Sequence, residues 1–463
     1  MTTRKEQEER REHGRRAFIR WTLAVGAALA VPQWKILEVI GATGGKALAD
    51  DAVCAVSNRS VHIVAGDGGF AWFQLLWPHN DVAAARNDGF AFHAPGESRM
   101  ATGTHKPLTF APETPFQTLP GAKQMTAFMS GNNETHTRTP SSSLTVATNV
   151  DLFGAAAAIQ TANPSLVPVI AVGGAPFRNA PGAPRVARVG AANEIVRLFD
   201  SAASRAGGLL ANSGDAELYA SSYGAFAALR SASRLPTQRV PLATGASAAR
   251  FLGRNLAGAL TPTEADFTRY GISDGSRAQN RELARGLIIA AKAFSRGLTS
   301  SVILPAFQDD PHGAFNDMGN LRQTINDLGR TLDAFYADCM ATDDPSCAGT
   351  KIGDNLVMSI HGDTPKNPLD RGGWPDGTPG NSNWTYVFGG GRLKTGWFGG
   401  IQRNGDVRGW NPTTGEDSDM SADQTAAAAS AAILYAVSRG DLRRVQDFYR
   451  GADIRGVIAS STL

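Results

Sequence analysis

Apolar residues along this chain gather in two kinds of stretch. Residues 61–65, 167–172, 300–305 and 355–359 are short runs dominated by Val, Ile, Leu and Ala. The first runs into Gly66-Asp67-Gly68-Gly69 and the second into Gly173-Gly174. Runs of that length closed by glycine, which tolerates tight turns, predict buried strands. Between them the period changes. Leu283, Leu287, Ile288, Ala291 and Phe294 share one face of a 3.6-residue repeat. So do Leu321, Ile325, Leu328, Leu332, Phe335 and Cys339, and these patterns predict helices over 281–298 and 320–339. Ala-rich stretches at 191–206, 215–233 and 246–259, with 421–449, predict further helices. Residues 80–143 are rich in Pro, Gly, Thr and Asn with little period, as expected for long loops with short elements. Strands too apolar to face water, alternating with helices, predict an α/β fold: a mainly parallel central sheet with helices on both faces and long loop insertions.

A different pattern stands at the start. A charged head leads to Arg15-Arg16-Ala17-Phe18-Ile19-Arg20, then an apolar run over 21–31 that Pro32 ends, and Ala47-Leu48-Ala49 follows. The run is about a dozen residues, whereas a bilayer core needs roughly 20 in a helix. It resembles a twin-arginine export signal with an A-x-A cleavage site, recognised by the export machinery through residues 15–20. The expectation is a signal peptide over 1–49, a single elaborated α/β domain over 50–463, and a periplasmic or secreted protein. No later segment is long and apolar enough to span a membrane. That route carries proteins folded before export, often with a metal or cofactor in place.

The leader changes the charge picture. It holds nine of the 45 Lys and Arg and five of the 42 Asp and Glu, leaving 36 basic and 37 acidic residues after Ala49. A nearly neutral remainder gives no basic footprint for nucleic acid and no polybasic membrane anchor. Of three cysteines, Cys339 and Cys347 are close enough in sequence to bridge a short loop, with two free thiols as the alternative.

Polar clusters follow the predicted strands. Asp67 follows the first, Asp309-Asp310-Pro311-His312-Gly313 the third, and His361-Gly362-Asp363-Thr364 the fourth, with Asp376 a little later. In open α/β sheets functional groups gather at strand C-termini. Carboxylate oxygen and imidazole nitrogen there are what a divalent-metal site needs. Asp67, Asp310, His312, His361, Asp363 and Asp376 are therefore candidate ligands for zinc, manganese or calcium. Asp310 and His312, two apart, point the same way in an extended segment.

The order of these segments resembles the bacterial family called domain of unknown function 1501, related to the alkaline phosphatase and sulfatase superfamily. The resemblance spans roughly residues 58–410. It is carried by the leader, by Gly66 to Gly69, by Asp310-Pro311-His312-Gly313, by Leu332-Asp333-Ala334-Phe335-Tyr336, by Ser359-Ile360-His361-Gly362-Asp363-Thr364-Pro365, and by the glycines at 389–391 and 396–399. It implies an alkaline-phosphatase-like fold, a two-metal site and a hydroxyl nucleophile for phosphate or sulfate esters. Thr135, beside His136, stands where the family has Ser-His, so the resemblance makes Thr135 the nucleophile. Two positions depart from the pattern: Ile360 replaces an acidic residue and Gly377 a histidine, so two ligand positions are lost and the site is shifted, holds one metal, or is inactive.

Two other readings compete. Gly271-Ile272-Ser273-Asp274-Gly275 matches the nucleophile motif of serine hydrolases, with Asp354 and His361 in the right order; that motif needs a buried strand before it. The residues before it, 265–270, are polar and helix-like, which favours a plain turn. A non-catalytic binding protein is the other reading. Trp374, Trp384, Trp397 and Trp410 lie in a Gly-, Asn- and Pro-rich segment, and exposed rings there would suit a glycan or another small ligand, whereas buried rings would mean packing.

Overall fold

The computed structural model describes residues 58–65, 76–77, 100–102, 104–110, 125–131, 144–163, 165–200, 222, 225, 251, 254–306, 317–347, 349–362, 383–402 and 407–459. They fall into two compact units. One comprises Met1–Ala55, Pro164–Leu166 and Val196–Thr261; its described helix, Leu256–Leu260, is capped by Asn255, whose side chain accepts from Gly258 N. The other comprises Val56–Asn163, Val167–Ile195 and Pro262–Leu463 and holds the central sheet.

Eight strands form that sheet. They are β1 (Arg59–Val64), β2 (Met125–Met129), β3 (Val169–Val172), β4 (Val186–Val189), β5 (Ser301–Pro305), β6 (Leu356–His361), β7 (Trp384–Phe388) and β8 (Gly396–Phe398). Their spatial order is β8-β2-β7-β6-β1-β5-β3-β4. β7 runs antiparallel to both its neighbours, and the other pairings are parallel. The sheet is therefore mixed but mostly parallel, and the α/β class read from the sequence holds. The four strands expected from apolar runs are β1, β3, β5 and β6. Not foreseen were β4, β2, which arises within the Pro- and Gly-rich 80–143 segment, and β7 and β8, which arise within the Gly-rich stretch near the C-terminus.

Helices cover both faces. On one lies α1 (Leu152–Ile159), whose Phe153 packs against His62 of β1 with ring centroids 4.8 Å apart. The Ala-rich α4 (Ala422–Val437) shares that buried cluster, which includes Ile303 and Val357. Small side chains suit a helix buried nearly all round, and Ser421 with Gln424 closes its N-terminus in a capping box. The other face belongs to α2 (Ala278–Phe294): a Cβ on Gly286 would stand 2.8 Å from Leu304 Cδ2 of β5. Glycine thus lets α2 lie directly on the strand, at a cost in helix propensity of about 1 kcal/mol. α3 (Met318–Ala341) packs beside α2. Its predicted face is in the core: Ile325, Leu328, Leu332, Phe335 and Cys339 are buried, as are Leu283, Leu287, Ile288, Ala291 and Phe294 of α2.

The chain end expected to be helical over 421–449 divides into α4 and the short helix Leu442–Gln446. The break is a turn with Arg439 and Gly440 both at positive φ. Of the earlier Ala-rich stretches, Glu194–Leu198 and Leu256–Leu260 are helical, and most of the remainder lies outside the described residues. Cys347 is disulfide-bonded while Cys339 is free and buried in α3, so neither alternative read from the sequence, a Cys339–Cys347 bridge or two free thiols, holds. Cys339 belongs to the apolar face of α3, which points its thiol into the core.

Candidate functional site

The middle of the sheet sets the geometry. Val64, the last residue of β1, is in register with Pro305 at the end of β5 and with His361 at the end of β6. Hydrogen bonds fix the exits from these strands. Ala65 N donates to His361 O at 2.9 Å, Ala306 N to Val64 O at 2.8 Å, and Gly362 N to Trp384 O at 3.0 Å. Neighbouring strands lie about 4.8 Å apart, so three chain segments leave the same edge within roughly 10 Å. Those segments lead to Asp67, to Asp310 and His312, and to Asp363. All four residues, with Asp376 and Thr135, lie outside the described residues.

His361 is described, and it has company the sequence did not suggest. Its side chain is fully buried, as are those of His62 and Ser359. His62 and Ser359 are register partners across β1 and β6, and His361 is two residues beyond Ser359, so all three share one face. His62 Nδ1 lies 2.7 Å from Ser359 Oγ, and Ser359 Oγ lies 2.7 Å from His361 Nε2. Phe153 of α1 covers both rings, meeting His361 edge-on at 5.5 Å between centroids. Burial lowers the pKa of His62 to about 3. Burial, helped by the neighbouring His62, holds His361 well below the usual imidazole range. Both rings are neutral at physiological pH. Among the described residues, His62 Nε2 and His361 Nδ1 have no hydrogen-bond partner.

A neutral imidazole whose second nitrogen is held by a hydrogen bond is the form that ligates a divalent cation. His361, with Nε2 on Ser359 and Nδ1 without a partner among the described residues, fits that requirement. Among the described residues no three His, Cys, Asp or Glu side chains converge as a metal cluster. Ile360, where the family pattern has an acid, is buried and pairs with Ile63, on the face that meets Leu304 and α2. It is a core residue there. His62 escaped the sequence reading because a lone histidine in a β-branched run looks like part of a strand. The available signal was the two-residue spacing of Ser359 and His361, which places both on one face.

A second feature lies farther along the same edge. A cleft of about 300 Å³ opens beyond the C-terminal end of β3, lined by Asn149, Asp151, Ala175, Phe177, Arg178 and Arg188 among others. Asp151 caps α1, accepting from Gly154 N at 2.7 Å and from Arg178 N. Burial raises its pKa, against the opposing effect of those two N–H groups. Arg188 donates to Ala175 O at 3.1 Å and Phe177 O at 3.0 Å, which fixes the loop after β3.

The competing readings fare differently. Ser273 is exposed in a turn between the helix Glu264–Arg269 and α2, and its N–H donates to Ser276 Oγ at 3.0 Å. No strand precedes it, so the nucleophile elbow is not formed. Asp354 lies in a short 3-10 turn with its carboxylate on Lys351 N, and the Nε2 of His361 is taken by Ser359. Trp384, Trp397 and Trp410 are 3%, 0% and 0% exposed, so these rings are core and offer no face to a glycan. Trp374 lies outside the described residues, as does the twin-arginine run at 15–20. Among the described residues, no helix is long and apolar enough to cross a membrane. Compared with known proteins, the chain matches no protein-family model, no curated protein and no solved structure.

Proposed function

We propose that this chain is an exported, divalent-metal-dependent hydrolase of phosphate or sulfate esters, with an alkaline-phosphatase-like fold and a reduced ligand set. One observation carries the reading: the register of Val64 with both Pro305 and His361. It starts three segments carrying Asp67, Asp310 with His312, and His361 with Asp363 from adjoining points. The strand order also reverses there, since the chain places β5 on one side of β1 and β6 on the other. A topological switch point at strand C-termini is where ligands bind in open α/β sheets. The Nδ1 of His361, without a hydrogen-bond partner among the described residues, supports a cation nearby. The two arginines lining the cleft on the same edge suit an anionic ester. A bound metal would polarise the ester and lower the pKa of the Thr135 hydroxyl; Asp310 and His312 are the ligands on which the site depends most.

The test is metal analysis of the purified full chain and of Asp310→Ala, with hydrolysis of p-nitrophenyl phosphate and p-nitrophenyl sulfate measured in parallel. The expected result is zinc, manganese or calcium bound by the wild type and lost from the variant, with Thr135→Ala keeping the metal and losing hydrolysis. A wild type that binds no divalent metal overturns the reading.

A further inference from the structure

The cleft beyond β3 holds more positive charge than the fold uses. Arginine carries five N–H donors. On Arg188, two of them go to Ala175 O and Phe177 O, at 3.1 and 3.0 Å. Those bonds pin the guanidinium to the loop after β3 and leave its other donors without an acceptor among the described residues. Arg178 ties the same loop to Asp151 through its backbone N–H, while its exposed guanidinium has no acceptor and no ion pair among the described residues. Asp151 is the one acidic side chain that lines the cleft. Both of its oxygens are taken by backbone N–H groups, from Gly154 and Arg178. Two guanidiniums thus share the cleft with one carboxylate already committed to the backbone. Gly174 lines the cleft as well. The usual reasons for a glycine do not apply to it: its φ is not positive, and a Cβ there would meet no atom within 4 Å. Bare backbone beside a cleft lets a ligand approach closely.

We propose that this cleft is a binding site for a compact organic anion, a phosphate or sulfate group on a single-ring body, with Arg178 and Arg188 holding the anion. Guanidinium donors match the oxygens of such a group in pairs. Leu144, Val150 and Phe177 give the cleft an apolar wall for the body. A volume of about 300 Å³ is at the small end for ligand sites, which sets the size of the ligand. Because Arg188 is already fixed by two carbonyls, little of its side-chain freedom is left to lose on binding. None of the candidate metal ligands lines the cleft. The inference rests on the hydrolase reading above for its choice of phosphate or sulfate, and it names the groups that select such a ligand. The charge and shape of the cleft stand without that reading.

The experiment is calorimetric titration of the full chain in excess chelator, so that neither a metal nor turnover enters. The probes are phenylphosphonate, phenylsulfonate, inorganic phosphate and phenol. The expected result is saturable binding of at least one of the two organic anions. Inorganic phosphate, which lacks the ring, binds more weakly, and phenol, which lacks the anion, does not bind. Arg178→Gln is expected to weaken the organic anion by ~10–100-fold, the loss of a hydrogen bond to a charged group. The Arg178 guanidinium makes no bond among the described residues, so this variant keeps its fold. Arg188→Lys keeps the charge but loses the planar fork that grips two carbonyls, and is expected to weaken binding by a similar factor. The site is overturned if neither organic anion binds, if both variants bind as the wild type does, or if phenol binds as tightly as the anions. Inorganic phosphate binding as tightly as phenylphosphonate overturns the organic ligand. A wild type that holds metal and hydrolyses esters without this binding overturns the cleft alone. Binding by a wild type that takes up no metal supports the cleft and removes the metal reading alone.

Discussion

The carbonyl oxygen of Arg178 occupies the space that a Cβ on Gly154 would need. Gly154 sits in the first turn of α1, where its N–H is taken by the capping carboxylate of Asp151. Asp151 also binds Arg178 N, so one carboxylate ties the helix start to the loop after β3. Helix propensity alone favours Gly154→Ala by up to about 1 kcal/mol. The overlap is with rigid backbone, and such overpacking costs ~1–3 kcal/mol. Gly154→Ala is therefore expected to destabilise, read as a lower urea midpoint at unchanged slope. A midpoint that rises shows that the loop after β3 yields freely.

Asp333 gives stability a pH dependence. It lies on α3 with Oδ1 buried and without a hydrogen-bond partner among the described residues. Burial raises its pKa from 3.8 to about 7. The folded state thus favours the protonated carboxyl. Its contribution is fully present below the unfolded pKa, near 3.8, and is lost as pH rises through about 7. Asp333→Asn keeps the shape and removes the charge. With the group partly exposed to screening solvent, the expected gain is about 1 kcal/mol at pH 8 and close to zero at pH 4. Chemical denaturation at the two pH values measures it, and an equal effect at both would place the cause elsewhere.

The cysteines make a covalent prediction. Cys347 is bonded and Cys339 is free, and burial pushes the Cys339 thiol far above its ordinary range. A thiol that is neither exposed nor ionised reacts slowly with alkylating reagents. Peptide mapping without reduction is expected to find Cys347 in a disulfide-linked peptide that lacks Cys339. Cys339 should be alkylated only after denaturation. A Cys339–Cys347 peptide would contradict the packing of α3.

Packing, rather than ligand recognition, explains the described tryptophans. Trp410 stacks against Phe128 at 5.1 Å between centroids and tilts against Phe398 at 5.6 Å. Trp410→Ala is expected to cost ~3–5 kcal/mol. Soluble oligosaccharides should leave the fluorescence of the wild type unchanged. Saturable quenching by one of them would return the glycan reading to Trp374 or to another surface.

Much of the sheet was legible because burial on both faces leaves a local record. β1, β3, β5 and β6 appear as short apolar runs closed by glycine, and the core faces of α2 and α3 appear as helical spacing. β2, β7 and β8 were not legible. They are only three to five residues long and lie inside Gly-, Asn- and Pro-rich stretches, and it is pairing with one another that makes them strands. The candidate site divides in the same way. Asp and His after apolar runs could be read residue by residue, and so could the turn at Ser273.

By itself, the sequence determined which segments must leave water and with what period, because each side chain's hydrophobicity acts wherever the chain goes. It therefore determined the α/β class and the positions of the polar groups that follow strands. The tertiary structure alone decided which strands are neighbours. That choice is made by pairing and packing between residues hundreds of positions apart. It placed Val64 between Pro305 and His361, and it turned His62, an unremarked strand residue, into the partner of Ser359.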